Sequence, residues 1–259
     1  MTSDIQESHN RYIQIENVSK RFGANTVLDG VDLTIKKGES IVIIGQSGTG
    51  KSVLLKNLIR LMSPDSGRIL FDGVDIETLK GPDLVAYRQR FGMLFQSSAL
   101  FDSMSVERNV GLGLRESGKH SEAAIKLIVH EKLEMVGLAD TGTKFPSELS
   151  GGMCKRIGLA RAIASEPEVL LYDEPTTGLD PITAEVINDM IVDVNTKLKV
   201  TSIAVTHDMK SALKIADRIV FLYQGKIEFD GSPQEVRNTD NPALKQFVYG
   251  RSDGPIQVR

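Results

Sequence analysis

Eight consecutive residues in the first quarter of the chain constrain its fold more than any other feature. They match the pattern G-x-x-x-x-G-K-[ST] in full: Gly45, Gln46, Ser47, Gly48, Thr49, Gly50, Lys51 and Ser52. An apolar run, Ile41 to Ile44, precedes them, and a segment typical of a helix, Val53 to Leu61, follows. This strand–loop–helix context is that of a phosphate-binding loop, because glycines let backbone N–H groups approach phosphates and a helix N-terminus favours anions.

The predicted nucleotide-binding stretch runs from Gly45 to Val53. In such a loop Lys51 reaches the β- and γ-phosphates, and the Ser52 hydroxyl ligates Mg²⁺. ATP and Mg²⁺ are therefore the expected cofactors. The loop alone leaves open a kinase, a GTPase, a helicase and a transport ATPase.

Two kinds of strand are predicted outside this loop. Apolar residues alternate with polar ones at Ile13 and Ile15 and again at Val31, Leu33 and Ile35. A period of two indicates strands with one solvated face, hence antiparallel pairing. The dipeptide at 72–73, Asp-Gly between apolar segments, predicts a tight hairpin.

Other strands are apolar throughout, which indicates a parallel sheet covered on both faces. They are Ile41–Ile44, Val169–Leu171, Ile203–Val205 and Ile219–Leu222. Helical segments separate these runs, so an α/β core is expected.

Between Phe95 and Pro167 the pattern is mostly helical. Ser121 is placed to cap a helix that runs to about Val136, and Ser150 to cap another that ends before Pro167. This predicts a helical insertion between strands of one core. The tail after residue 241 is less periodic and is expected to extend beyond the core.

Composition excludes several other classes of protein. A length of 259 residues allows one large domain or one core with an inserted subdomain. A formal net charge of -3 gives no general attraction to nucleic acid or anionic lipid. No apolar run approaches the roughly 20 residues of a membrane-spanning helix, and the polar N-terminus lacks a signal-peptide core. A single cysteine, Cys154, excludes an intramolecular disulfide and fits a reducing compartment.

Further motifs narrow the class. In chain order they are Phe22, Gln96 after Leu94-Phe95, Leu149-Ser150-Gly151-Gly152-Met153, Asp173-Glu174 after an apolar strand, Gly178-Leu179-Asp180-Pro181, and His207 after Thr206. They resemble the motifs of the ATP-binding subunits of ABC transporters, in the family order and over nearly the whole chain. The resemblance implies a RecA-like P-loop NTPase core with an N-terminal antiparallel β subdomain and an inserted helical subdomain. A P-loop kinase or GTPase would not need the LSGG helix.

The resemblance also implies roles for single residues. Asp173 holds Mg²⁺ together with Ser52, and Gln96 reaches both the metal and the attacking water. Glu174 orients and polarises that water. His207 contacts the γ-phosphate, and Lys51 binds the phosphates.

Phe22 matches the aromatic residue that stacks on adenine, with Tyr12 as a nearby competitor. In the family, the motif of Ser150, Gly151 and Gly152 completes the site of a second ATPase subunit, so the resemblance implies a dimer, either of two copies of this chain or with a related subunit. Asp180 lies in the segment that resembles the D-loop and is expected to belong to the nucleotide site. Met153 stands where the family has Gln and offers no side-chain hydrogen-bond donor, but the backbone amides of the motif remain.

The predicted organisation is a single ABC ATPase domain over residues 1–259. Residues 1–95 and 166–240 form the nucleotide-binding core with its antiparallel part, and residues 96–165 form the helical signature subdomain. Residues 241–259 form a C-terminal extension.

Residues 94–104, the variant LSGGM and residues 247–255 resemble the ATPases of the Mla (maintenance of lipid asymmetry) and Mce-associated phospholipid-transport systems. This implies transmembrane permease subunits, an Mce-domain protein, in some systems a STAS-domain protein, and a location at the cytoplasmic face of the inner membrane. The cargo is then phospholipid or a similar hydrophobic molecule. Four clustered apolar residues, placed where this family joins its core to the helical subdomain, are expected to dock the permease: Phe95, Leu100, Phe101 and Met104.

Two other functions compete with this one. ATPases of methionine or polar amino-acid importers share most of the motifs. An ABC ATPase acting on DNA or ribosomes usually carries coiled-coil insertions or tandem domains, which this chain lacks, and its acidic balance argues against nucleic acid as a partner.

Overall fold

The computed structural model describes residues 11–257. Most of the predicted polar N-terminus, residues 1–10, and the last two residues of the predicted extension lie outside the described residues. The described chain divides into two compact units, residues 11–88 with 201–257, and residues 89–200. None of the helices within residues 11–257 is long and apolar enough to cross a membrane.

Strands and helices are numbered in chain order. The strands are β1 (Ile13–Phe22), β2 (Asn25–Ile35), β3 (Ser40–Ile44), β4 (Ser66–Phe71), β5 (Val74–Asp75), β6 (Phe91–Leu94), β7 (Val169–Asp173), β8 (Thr201–Thr206), β9 (Arg218–Tyr223) and β10 (Lys226–Gly231). The α-helices are α1 (Lys51–Leu58), α2 (Gly81–Gln89), α3 (Val106–Val110), α4 (Leu112–Ser117), α5 (Glu122–Met135), α6 (Gly151–Ile163), α7 (Pro181–Leu198), α8 (Met209–Ile215), α9 (Pro233–Arg237) and α10 (Pro242–Tyr249).

The first unit contains an antiparallel sheet in the order β2-β1-β4-β5. Ile13 lies opposite Ile35 and Ile15 opposite Leu33, and all four are buried. Because side chains alternate between the faces of a strand, these residues share the inner face. A turn at residues 72–73 joins β4 to β5 as the predicted hairpin.

The same unit contains the parallel strands β9, β3 and β8, side by side, with β10 antiparallel to β9. In register, Ile44 lies opposite Thr206 on β8 and Phe221 on β9. Every residue of β3 and β8 is buried. The continuous apolar sequence of these strands follows from that burial on both faces.

In the second unit β6 pairs in parallel with β7, and helices α3 to α6 connect them. Both predicted caps are present: the hydroxyl of Ser121 accepts from the N–H of Ala124, and that of Ser150 from the N–H of Met153, each at 3.3 Å. β6 was not predicted, because four residues show too little periodicity. The α/β architecture with an inserted helical segment is the predicted fold class.

The tail contains a helix that the sequence analysis did not predict. The side chain of Asn241 caps α10 by accepting from the N–H of Leu244 at 3.0 Å. Leu244 is fully buried, and the ring of Phe247 lies 5.5 Å from that of Phe221. The side chain of Gln246 then binds the main chain of Ile256 in both directions, at 2.7 and 3.0 Å. Contacts distant in sequence therefore order this segment.

Candidate functional site

The phosphate loop leaves β3 at Gly45, whose backbone has φ +157°. A Cβ atom there would lie 2.4 Å from the carbonyl oxygen of Leu222, a distance that real Cβ contacts do not show. Only glycine therefore fits at the point where the chain turns from strand into loop.

Helix α1 begins immediately after the loop and presents its N-terminus to it. Its N-cap residue, Gly50, has φ 102° and supplies no side-chain cap. N–H groups in a first helical turn have no partner within their own helix, so this end of α1 suits an anion. The ammonium of Lys51, 5% exposed, donates to the carbonyls of Gly45 at 2.7 Å and Gln46 at 2.9 Å. The loop thus combines backbone donors and a buried cation, and these residues fit a nucleotide's phosphate chain.

His207 emerges next to this loop. Ile44 and Thr206 are register partners on parallel strands, so the residues that follow them, Gly45 and His207, leave the same edge of the sheet. Adjacent strands lie about 4.8 Å apart. The predicted switch histidine and the phosphate loop are therefore neighbours within the first unit.

A cavity of about 620 Å³ lies beside the phosphate loop in the same unit. Its lining comes from the start of β2, the loop, the β9–β10 turn and the tail: Asn25, Thr26, Val27, Gln46, Gly48, Thr49, Tyr223, Gln224, Gly225, Pro255 and Gln257.

The two candidates for base stacking differ in exposure. Phe22 closes the β1–β2 hairpin and is 47% exposed, with the Lys20 ammonium 5.9 Å from its ring centroid. Tyr12 is buried, and its ring lies 4.8 Å from that of Phe71 in the antiparallel subdomain. Tyr12 is a core residue, whereas Phe22 presents a ring face that a base can stack on.

In the second unit Gln96 and the acidic pair follow neighbouring strands. Leu94 and Tyr172 are register partners, so the chains after β6 and β7 leave the same sheet edge. Asp173 and Glu174 are 7% and 8% exposed. Glu174 lies in the left-handed region at φ 48°, a conformation that costs energy for a residue with a side chain.

The carboxylate of Glu174 accepts a hydrogen bond from the hydroxyl of Thr177 at 3.0 Å. Across residues 11–257 no three His, Cys, Asp or Glu side chains form a ready-made metal cluster. Mg²⁺ is usually bound by one or two protein oxygens together with substrate phosphates. A Ser52 hydroxyl and an Asp173 carboxylate are hard oxygen donors, so their chemistry fits that ion.

The signature motif opens α6. Ser150 is its N-cap, and Ser150 and Gly151 are exposed. A Cβ on Gly152 would lie 2.6 Å from the Cγ2 of Thr183, so glycine lets α6 approach the start of α7. Backbone amides at an exposed helix start suit an anion, and they do so independently of the side chain at position 153.

Asp180 caps α7. One carboxylate oxygen accepts from the N–H groups of Ile182 and Thr183, each at 3.0 Å, and the other accepts from the Thr183 hydroxyl. These hydrogen bonds, that of the Thr183 side chain first, hold the pKa of Asp180 below its usual range. Capping of α7 therefore fixes the position of the Asp180 carboxylate.

Sequence reasoning assigned no role to Lys155, although its side chain lies among the predicted catalytic groups. It is 4% exposed, and its ammonium donates to the carbonyls of Gln96 at 2.5 Å and Glu174 at 3.2 Å. Burial lowers the pKa of Lys155, and the charges of Asp173 and Glu174 oppose that shift. The sequence signal that could have indicated this position is a lysine among the apolar residues of the helix that follows Ser150.

Asn109 was also missed. It is fully buried at the end of α3. Its carbonyl oxygen accepts from the N–H of Phe101 at 2.8 Å, and its amide donates to the carbonyls of Phe101, Met104 and Ser105 at 3.0 to 3.1 Å. Phe101 itself is 50% exposed. One side chain thus orders the loop that the sequence analysis expected to dock a permease.

A phosphate loop between a buried strand and an uncapped helix defines a P-loop nucleotide-binding protein. Comparison with known families narrows this class, since the ABC transporter family profile matches residues 28–177. The chain belongs to the ABC transporter family, as an ATP-binding subunit.

Similar proteins match this chain over most of its length. The chain is 42% identical to a probable ribonucleotide transport ATP-binding protein of Mycobacterium leprae, covering 94% of this chain and 70% of that one. It is 41% identical to the intermembrane phospholipid transport system ATP-binding protein MlaF of Haemophilus influenzae, covering 95% and 94%. A dimeric ATP-binding cassette solved in a post-hydrolysis state with ADP and Pi is 31% identical, with a TM-score of 0.78 over 85% of this chain and 98% of that one. The predicted family and fold class are confirmed.

Proposed function

We propose that this chain hydrolyses ATP to ADP and phosphate to drive an ABC transport complex. The observation that carries the proposal is the phosphate loop, with buried Lys51 and the uncapped N-terminus of α1. Membership of an ABC ATPase family adds the class of reaction.

The resemblance to ABC ATPases, together with the chemistry of the residues, supports the following roles. Lys51 and the amides of residues 45–53 bind the phosphates. Glu174 orients the attacking water and accepts its proton, and His207 contacts the γ-phosphate. When bound, Mg²⁺ supplies charge neutralisation on the phosphates; Ser52 and Asp173 hold it, and Gln96 contacts it. Phe22 stacks on the base.

We propose a homodimer in which the signature motif of one subunit completes the site of the other. Exposed Ser150 and Gly151 at the start of α6 support this role. The similar cassette bound to ADP and Pi is dimeric. Residues 1–259 then act as a single ABC ATPase domain, with residues 96–165 as its signature subdomain and 241–259 as its extension.

The transported cargo is proposed to be phospholipid or a related hydrophobic molecule. The match to the phospholipid-transport ATPase covers 94% of that protein, whereas the match to the ribonucleotide-transport protein covers 70% of its chain. In this proposal the ATPase lies at the cytoplasmic face of the inner membrane, bound to permease subunits. An Mce-domain protein, and a STAS-domain protein in some systems, complete the complex.

The catalytic proposal is tested by Glu174→Gln. This variant keeps shape and hydrogen bonding but removes the charge that polarises water, so turnover should fall by about 100-fold or more while ATP still binds. Glu134→Gln, an exposed residue of α5 in the same unit, is the matched control and should retain activity. Near-normal hydrolysis by Glu174→Gln would reject the assignment.

Permease docking is tested by Phe101→Asp, measured as co-purification with the co-expressed permease. Leu127→Asp on α5, at 73% exposure, is an apolar-to-acid control on another surface. We expect only Phe101→Asp to lose the permease, because Phe101 is exposed within the segment 94–104 that resembles the phospholipid-transport ATPases, whereas Leu127 lies outside that segment. Lipid analysis of the purified complex then separates phospholipid from the competing amino-acid cargo.

A further inference from the structure

Lys155 connects two loops whose separate positions matter for catalysis. Its ammonium donates to the main-chain carbonyl of Gln96 at 2.5 Å and to that of Glu174 at 3.2 Å. The first carbonyl belongs to the loop after β6, and the second to the turn after β7. Both acceptors are backbone atoms, so these hydrogen bonds act on where each loop lies.

The helix that carries Lys155 is shaped to approach the loop after β6. A Cβ on Gly158 would lie 2.8 Å from Cδ1 of Leu94, the last residue of β6, and 3.4 Å from Cβ of Ser98 in the loop, so glycine leaves room for a close approach of the helix. Arg161 donates to the carbonyls of Ser98 and Ala99, each at 2.6 Å. At about 100° per residue, positions 155, 158 and 161 fall within one third of the helix circumference. One face of α6 therefore contacts the first part of the loop, at residues 96, 98 and 99.

The contacted backbone is strained on both sides. Ser98 and Ala99 lie at φ 62° and 46°, and Glu174 lies at φ 48°. Left-handed conformations of such residues persist only where surrounding contacts impose them. Charge-assisted hydrogen bonds from Arg161 and Lys155 to these segments supply such contacts.

We propose that Lys155 is a positioning residue that joins the main chain of Glu174 to the loop after β6. The inference rests on the proposed catalytic role of Glu174. Lys155 does not touch the reacting atoms; it determines how accurately the Glu174 carboxylate meets the attacking water. Displacement of the loop after β6 is then transmitted to Glu174 through a single ammonium group.

The test compares the purified full chain with Lys155→Met, which retains bulk and loses the donors. We expect kcat to fall about tenfold or more, since small misplacements of catalytic groups have such effects. KM and the Kd for a non-hydrolysable ATP analogue should stay within about twofold. Lys155→Arg, which restores cationic donors, should recover much of the loss. An unchanged kcat, or a loss confined to KM, would overturn the proposal.

Lys132→Met is the matched control. Lys132 is also a buried lysine in this unit, on α5, with its ammonium 2.8 Å from the Glu131 carboxylate. It should keep its kcat, and an equal loss there would assign the Lys155 effect to general destabilisation. If Lys155→Met does not fold, Lys155→Leu, which also lacks donors, replaces it, with a lowered kcat expected and a normal kcat refuting the role.

A double variant separates this inference from the proposed function. If Lys155 acts through Glu174, Lys155→Met should cause no further loss in a Glu174→Gln background. Multiplying losses would mean that it acts elsewhere. Normal turnover by Glu174→Gln alone rejects the proposed catalytic residue. If kcat falls strongly in Glu174→Gln but is unchanged in Lys155→Met, only the inference about Lys155 is rejected.

Discussion

Replacement of Asn109 by leucine should loosen the loop that the proposed function assigns to the permease. The substitution keeps approximate side-chain volume and removes four hydrogen bonds to the loop at residues 101–105. A net hydrogen bond contributes about 0.5–1.5 kcal/mol. Some of the released loop groups can bind water, so we expect the free energy of unfolding to fall by about 2–4 kcal/mol.

Two further variants make this prediction specific. Asn109→Asp keeps the acceptor for the Phe101 N–H but sets a carboxylate against three carbonyl oxygens, so its loss should be at least as large. Ser105→Ala removes only the cap that accepts from the Arg108 N–H at 3.4 Å, which should cost about 1 kcal/mol or less.

The assay is urea unfolding of the isolated chain, with hydrogen exchange of the Phe101 amide as a local measurement. Exchange at that amide should accelerate in both Asn109 variants, because its acceptor or the surrounding loop is lost. The reasoning would be refuted if Asn109→Leu unfolded within about 1 kcal/mol of the parent chain and left the Phe101 amide protected.

Three other predictions concern the nucleotide site. Lys51→Ala should weaken binding of an ATP analogue by about tenfold or more without a general loss of folding; a wild-type kcat would contradict the role of the loop. Gly45→Ala should lower the free energy of unfolding by about 1–3 kcal/mol, because its Cβ meets a backbone carbonyl at 2.4 Å. Gly48→Ala is also at a positive φ, +81°, and so carries backbone strain, but its Cβ would meet no atom within 4 Å. It should therefore lose less in the same urea experiment, and equal losses would exclude the steric explanation. Ser150→Arg should abolish ATP-dependent dimerisation in size-exclusion chromatography, and an unchanged dimer would remove the proposed role of the signature motif.

The sequence by itself determined the elements whose causes are local. The phosphate loop lies between an apolar run and a helix that directly adjoin it. Ser121 and Ser150 cap helices through N–H groups three residues away. The strands of the antiparallel sheet follow from alternation along each strand. Such features depend on contacts between residues a few positions apart in the sequence, so the order of residue types along the chain is enough to predict them.

Tertiary structure alone decided the features that depend on distant residues. Helix α10 is ordered by packing on Phe221 and by the binding of Ile256 to Gln246. The burial of Tyr12 and the exposure of Phe22 likewise depend on how the folded sheet packs. Lys155 gains its significance from two carbonyls, 59 and 19 residues away, that meet at one ammonium. A sequence pattern cannot indicate these contacts, because the carbonyls of Gln96 and Glu174 come close to each other only when β6 and β7 pair in the folded sheet.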